Sequence, residues 1–251
     1  MTLPQEFYIK YLSGLTQYRV NWLPNHSLRL GDIGKLEDGL FTLYTDLEQQ
    51  GIKFAKEDNT SSLDLDYTSS DSASINFEID ASTVVTPNIL PKGKINIEFS
   101  KKNGVVFQMT KAKVQIIADK ADLENAVLQR YQDKSWAKEW VIITELVITD
   151  QATIIISTSD NNSIDLACDV PGALLNIPLA DPSLNLKLIR ETGSSTKILA
   201  ANQLTPFYKI MGVKVPFLQR PEFRIREDIT IDKMEFQPLP FDEREFGKQN
   251  L

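Results

Sequence analysis

The 251-residue chain has one cysteine and one histidine. Cys168 alone excludes an intrachain disulfide, which fits a reducing compartment. Without a second thiol or a second imidazole, neither a zinc cluster nor a two-histidine metal site can be assembled. No apolar run is long enough for a transmembrane helix. The opening MTLPQEFYIKYL has no basic region followed by an apolar core, so it does not read as a secretory signal. Neither end carries a lipidation motif, and a cytoplasmic setting is the expectation. There is no excess of basic residues: the formal charge is −7, which argues against nucleic acid as a partner.

Catalytic signatures are missing as well. No glycine-rich loop ends in Gly-Lys-Ser/Thr, GDIG at 31–34 has the wrong spacing for a dinucleotide fingerprint, and no Gly-x-Ser-x-Gly elbow occurs. His26, in LPNHSL, reads as a loop histidine. Cys168, at an alternating position in IDLACDV, reads as a small buried hydrophobe. Paired carboxylates such as Asp64/Asp66 and Glu78/Asp80 stand at period two, on the polar face of a strand, where solvation explains them. DNNSIDL at 160–166 lacks the glycine and closing glutamate of a calcium loop and reads as a hairpin turn. The expectation is a protein without a catalytic centre, metal or cofactor; a hydrolase using acidic residues is the least favoured alternative.

What the chain does have is alternation. Ile75-Asn76-Phe77-Glu78-Ile79 and Ile95-Asn96-Ile97-Glu98-Phe99 carry the same apolar–polar pattern, the mark of a half-buried strand. Leu63, Leu65 and Tyr67 alternate just before them. Further strands are expected at 18–24, at 27–34 (stopped by glycines), on either side of an Asn103-Gly104 hairpin turn, in EWVIITELVITDQATIIISTSDNNSIDLACDV with a bend near Asp150, in a hairpin turned at Gly193-Ser194-Ser195, and in TPFYKIMGVKVPF. Helices are expected at 5–13, ended by Gly14; at 36–51, with Leu40, Leu43, Tyr44 and Leu47 on one face; and at 119–134, capped by Asp119 with Leu123, Val127 and Tyr131 aligned. The reading is one α+β domain over 1–218, dominated by antiparallel twisted sheet with a few short helices, followed by a tail over 219–251.

The order of these elements resembles the pore-forming domain of gasdermins, especially their short bacterial relatives. The stretches that carry the resemblance are FYIKYLSGLTQYRVNWLPN, KINIEFSKKNGVVFQM and WVIITELVITDQATIIISTSDNNSIDLACDVP, and it covers roughly residues 5–215. It departs from the bacterial members at MTLPQEF, which lacks their lipidated cysteine. The resemblance implies an inactive cytoplasmic monomer whose C-terminal segment covers the pore-forming surface. An activating protease removes that segment, the amphipathic strands lengthen into hairpins that cross the cell inner membrane, and subunits close into a large ring in contact with membrane lipids. Such proteins kill the infected cell in antiphage defence.

On that reading Leu63, Leu65, Ile75, Phe77, Ile79, Ile95, Ile97 and Phe99 are the membrane-facing candidates. Met234, Phe236, Leu239, Phe241 and Phe246 would hold an autoinhibitory tail against the body, and Arg224, Arg226 and Asp228 are the cleavage candidates. The competing reading is a non-enzymatic binding or scaffold protein, or a subunit of an assembly, that uses the same sheet as a static platform.

Overall fold

Helix α1 (Pro4–Thr16) starts on a proline, whose fixed φ suits the first helical turn. Gly14 does not end it. A Cβ built at Gly14 would meet nothing within 4 Å, and the chain stays helical until Thr16, whose hydroxyl bonds back to the Leu12 carbonyl at 2.7 Å. The computed structural model describes residues 4–16, 18–24, 26–37, 39–59, 63–69, 71–79, 92–169, 178–214 and 235–238. The first strands are β1 (Arg19–Val20), β2 (Asp32–Glu37), β3 (Leu40–Asp46) and β4 (Lys56–Asp58). Next come β5 (Leu63–Thr68), β6 (Ala73–Ile79), β7 (Lys92–Phe99) and β8 (Val105–Ile117), then helix α2 (Lys120–Gln132). After it run β9 (Val141–Thr149), β10 (Gln151–Ser157) and β11 (Asn162–Asp169). A 3-10 turn (Pro182–Leu184) precedes β12 (Lys187–Thr192), β13 (Ser195–Ala201), β14 (Leu204–Lys214) and β15 (Glu235–Pro238). The protein is α+β, with antiparallel pairing in every ladder described below.

Two compact units divide the chain. One takes Met1–Tyr11, Thr60–Lys113 and Ile148–Leu204; the other takes Leu12–Asn59, Val114–Val147 and Thr205–Leu251. The boundary drawn at 218 from the sequence lies outside the described residues.

The first unit is a sandwich of two sheets. β5 and β10 flank β8, and β13 pairs with β10. β6, β7, β11 and β12 form the second sheet, in that order. The alternation read in the sequence decides what lies between them: Ile95, Ile97 and Phe99 of β7 and Ile164, Leu166 and Cys168 of β11 meet Val106 of β8 and Ile155 of β10 in one buried cluster. Each such side chain contributes about 1.5–3 kcal/mol by leaving water.

In the second unit α2 lies over sheet. Asp119 caps it by accepting from the Asp122 amide at 2.9 Å, as the sequence predicts. Leu123, Val127 and Leu128 bury against Ile33, Leu47, Ile117, Ile142 and Val213. β2 pairs β3 and β9, β1 and β15 both pair β14, and β4 pairs the end of β8.

Two local expectations are corrected here. Residues 40–46 are a strand, not a helix. Gly39, at φ 75°, turns the chain back on β2, and Leu36 stands opposite Phe41. The helical spacing of Leu40, Leu43, Tyr44 and Leu47 is coincidental, since Leu43 and Tyr44 are 59% and 65% exposed and only Leu47 is fully buried. The strand expected at 27–34 begins only at Asp32, because Gly31, at φ 88°, still belongs to a turn.

Candidate functional site

The two matched segments pair with each other: Ile75 stands opposite Ile97 and Phe77 opposite Ile95. Of the membrane-facing candidates, Ile95, Ile97 and Phe99 are fully buried in the sandwich core. Ile75 is half-buried beside them, and Phe77, on the same face nearer the strand end, is 56% exposed. Ile79 closes β6, and its side chain lies outside the described residues. Leu63 and Leu65 are on β5, in the other sheet. The structure therefore gathers these residues into one unit but not onto one surface.

The turns between the strands explain why. Asn103-Gly104 does not close a hairpin. β7 pairs with β6 and β11, whereas β8 pairs with β5 and β10 in the opposite sheet. The turns at 160–162 and 193–195, both expected as hairpins, likewise carry β10 into β11 and β12 into β13 across the sandwich. The connection from β5 to β6 does the same. Four arches thus link the two sheets.

The ladders keep register through these arches. On one side Gln151 faces Thr110 and Ile156 faces Val105; on the other Asn162 faces Phe99 and Asp169 faces Lys92. Counting forward along β10–β11 and backward along β8–β7, the first ladder runs into the second without slip. The outer ladders, β5–β6 with β7–β8 and β10–β11 with β12–β13, continue through the bend with only a small offset. The sandwich is one four-stranded antiparallel sheet folded across its middle.

The pattern of side chains is continuous too. Taking alternate residues along β7–β8 gives Ile95, Ile97, Phe99, then Val105, Phe107 and Met109. The partner strand gives Ala152, Ile154, Ile156, then Ile164, Leu166 and Cys168, and β5–β6 gives Leu63, Leu65, Tyr67, then Ala73, Ile75 and Phe77. The intervening positions are mostly polar: Lys92, Lys94, Asn96, Glu98, Gln108 and Thr110 on one strand, Gln151, Thr153, Ser157, Ser163, Asp165 and Asp169 on the next. In the folded state the apolar parity faces the core in the β7–β11 half. In the β8–β10 half it faces away from Val106 and Ile155, and there Tyr11 of α1 lies against Tyr67, with ring centroids 5.1 Å apart. The sequence reading missed the β8, β10 and β11 members of this set. Their alternation was visible, but their partnership rests on a register that only the folded ladders reveal.

Polar contacts and close packing hold the arches. The Asn103 amide donates to the Ser157 carbonyl at 2.9 Å, and the Lys102 amide donates to the Asp160 carboxylate at 2.7 Å. Asn162 donates to the Ser194 carbonyl at 2.8 Å. A Cβ on Gly104 would sit 2.5 Å from the Phe99 ring, so a larger residue at that bend must displace the ring. On the outer face of the β6–β7–β11–β12 sheet, Lys92 pairs with Asp169 at 2.5 Å and Lys94 with Asp165 at 3.1 Å. Hydrogen bonds from Lys92 and Asn185 hold the Asp169 carboxyl below the usual carboxylate range; Asn96 and Lys94 do the same for Asp165.

Cys168 is buried, and desolvation pushes its thiol pKa up, away from the reactive thiolate. His26 is exposed, at the rim of a cleft of about 320 Å³ lined also by Trp22, Leu23, Leu43 and Tyr208. Glu145 of the second unit accepts from the Tyr18 hydroxyl and from Lys209, whose ammonium lies 4.3 Å from the Tyr18 ring centroid. Among the described residues no group of three His, Cys, Asp or Glu side chains could hold a metal ion. Met234, Leu239, Phe241 and Phe246, and the cleavage candidates Arg224, Arg226 and Asp228, lie outside the described residues. Phe236 lies in β15, with its backbone opposite Val213; its side chain is outside the described set.

No protein-family model matches this chain, and no curated protein does. Among solved structures the chain is similar to the cryo-EM structure of the gasdermin A3 membrane pore, at 11% identity and a TM-score of 0.38, covering 88% of this chain and 97% of that one.

Proposed function

We propose that this protein is a gasdermin-like pore former, held inactive by its C-terminal segment and released by proteolysis. The observation that supports this reading most strongly is the unbroken ladder through the arches. A sheet folded across its middle, with its central ladder in register on both sides of the fold and its outer ladders slightly offset, can straighten with every strand keeping its neighbours. Straightened, it presents one apolar and one mostly polar face, as a membrane β-barrel wall requires. The polar arch residues, Asp71, Lys101, Asn103 and Asp160, would then stand at the headgroup level. The β6–β7–β11–β12 half would enter the hydrocarbon, with Ile75, Phe77, Ile95, Ile97, Phe99, Ile164 and Leu166 toward lipid and Lys92, Lys94, Asn96, Asp165 and Asp169 toward the lumen. A crossing strand needs about 9–11 residues. β7 and β11 each supply 8. Because an open sheet edge is not tolerated in lipid, copies must close into a ring.

Residues 227–251 carry seven acidic and three basic groups, so their removal leaves a less negative body for approach to anionic lipid. The activating protease would cut near Arg224, Arg226 or Asp228, and the setting that fits is cell-death defence against phage at the inner membrane. The static-platform reading makes the opposite prediction, that these strands never leave the core.

The test is dye release from liposomes by a protein with a specific cleavage site engineered between residues 226 and 230. The structure selects the informative variant. Ile97 is fully buried, so a charge there damages folding whatever the function, whereas Phe77 is largely exposed in the soluble state. Phe77→Arg is expected to leave the melting temperature close to the parent's while suppressing leakage, because a cation on the lipid face near the midplane costs about 2–4 kcal/mol. Leakage equal to the parent's would remove β6 from the membrane. A cut parent that stays monomeric and never leaks would leave the static platform as the reading.

A further inference from the structure

Inside the sandwich, on the inner face of the β8–β10 sheet, are two buried polar side chains, Gln108 and Thr153, 8% and 0% exposed. Polar groups in such a place are costly unless bonded. One residue of the segment that precedes β12 bonds to both, and Gln108 Nε2 donates besides to the Asp66 carboxylate of β5 at 2.9 Å. The Leu179 amide donates to Gln108 Oε1 at 2.6 Å, and Thr153 Oγ1 donates to the Leu179 carbonyl, also at 2.6 Å. Leu179 and Leu184 of this segment are buried in the cluster between the sheets. Between them the chain is stiffened by the 3-10 turn, whose Ser183 amide is capped by Asp181 at 2.8 Å. At its other end Asn185, at φ 45°, donates to Asp169 of β11 at 3.2 Å. The segment therefore grips both halves of the folded sheet, β8 and β10 at one end and β11 at the other.

We propose that residues 178–186 are a strap that fastens the folded sandwich shut, and that releasing Leu179 from Gln108 and Thr153 is the step that lets the two halves part. The two buried polar residues then have a reason to be where they are. They lie on the mostly polar parity of the sheet, which is exposed to water once the sheet straightens, and while it is folded the strap supplies Gln108 Oε1 with a donor and Thr153 Oγ1 with an acceptor. The ladders need not change register on opening, but β7 and β11 lose the packing behind them and their hydrogen bonds open more often; the strap contacts must break. The consequence for membrane insertion rests on the pore-forming reading above, but the fastening itself does not.

Hydrogen–deuterium exchange on the full-length protein tests it. Thr153→Val removes the donor at nearly constant volume, and Thr153→Ser keeps it. In Thr153→Val, amides of 178–186 and of β7 and β11 are expected to exchange at least about tenfold faster than in the parent, while β9 keeps the parent's rate and Thr153→Ser matches the parent throughout. Faster exchange confined to 178–186, with β7 and β11 unchanged, would make the segment a passive plug and overturn the proposal, as would no change at all. Should Thr153→Val fail to fold, Asn185→Gly severs the other end of the strap at an exposed site and keeps the left-handed backbone; the same two outcomes decide. After cleavage, Thr153→Val is expected to release liposome dye faster than the cut parent. If the cut parent never leaks, the pore reading fails and the exchange result still stands or falls separately.

Discussion

β9 in the second unit and β7 in the first bury their side chains in different ways. β9 buries Val141, Ile142, Ile143, Leu146 and Val147 on both of its faces, with α2 closing the same core. β7 buries Ile95, Ile97 and Phe99 on one face and shows Lys92, Lys94, Asn96 and Glu98 on the other. A strand buried on both faces is committed to its neighbours, because any other environment exposes one of them. A strand buried on one face needs only some apolar partner for it, and a bilayer interior serves as well as a protein core. Within the first unit the one-faced pattern belongs to β7 and β11, since β8 and β10 bury both faces; on the pore-forming proposal it is their sheet that would change environment.

The largest expected effect falls on the second unit. Ile142→Ala, at a fully buried position in the α2 core, should cost about 2–5 kcal/mol in urea unfolding. Phe77→Ala, at the exposed end of its face, should stay within about 0.5 kcal/mol of the parent. Equal losses would erase the distinction between the two units. Next in size is the bend. Gly104→Ala drives a Cβ into the Phe99 ring and should cost about 1–3 kcal/mol, with protection lost first in β7 and β8. Uniform loss over β9 and α2 as well would show that the bend is not a local element. The smallest effect is acid sensitivity on the outer face of β7 and β11. Asp165 and Asp169 have folded-state pKa values below the ordinary carboxylate value, so their contribution is present above about pH 4 and is lost as pH falls through the lowered values. Their lysine partners are exposed on the outer face of the sheet, so the pairs contribute little. Asp169→Asn should lower the melting temperature slightly at neutral pH and match the parent near pH 2. A difference that persists there would assign the effect to packing.

Much of the first unit was legible in its sequence. The period-two pattern at Ile75–Ile79 and Ile95–Phe99 marks strands with one apolar face, and those strands pair with each other. The α2 boundaries follow from Asp119 and the spacing of Leu123 and Val127. Residues 40–46 were misread because three- and four-residue spacings of Leu and Tyr fit a helix as well as they fit a strand running into a turn; the Gly39 bend and pairing with β2 decided the matter. The β15 pairing was not legible at all, since four residues ending in a proline carry too little pattern.

Local chemistry determined where this chain turns and which side chains alternate. Asn103-Gly104 and Gly193 bend the backbone because small or left-handed-tolerant residues allow it, and that needs no knowledge of the rest of the fold. Whether a bend closes a hairpin or an arch was decided only by the tertiary structure. The backbone angles of a turn bring the flanking strands back, but they do not say whether those strands meet edge to edge or face to face. Here the apolar faces of β7 and β11 are satisfied by packing onto Val106 and Ile155, while their edges are taken by each other and by β6 and β12. That competition among distant segments for the same apolar surface folds one continuous sheet into two.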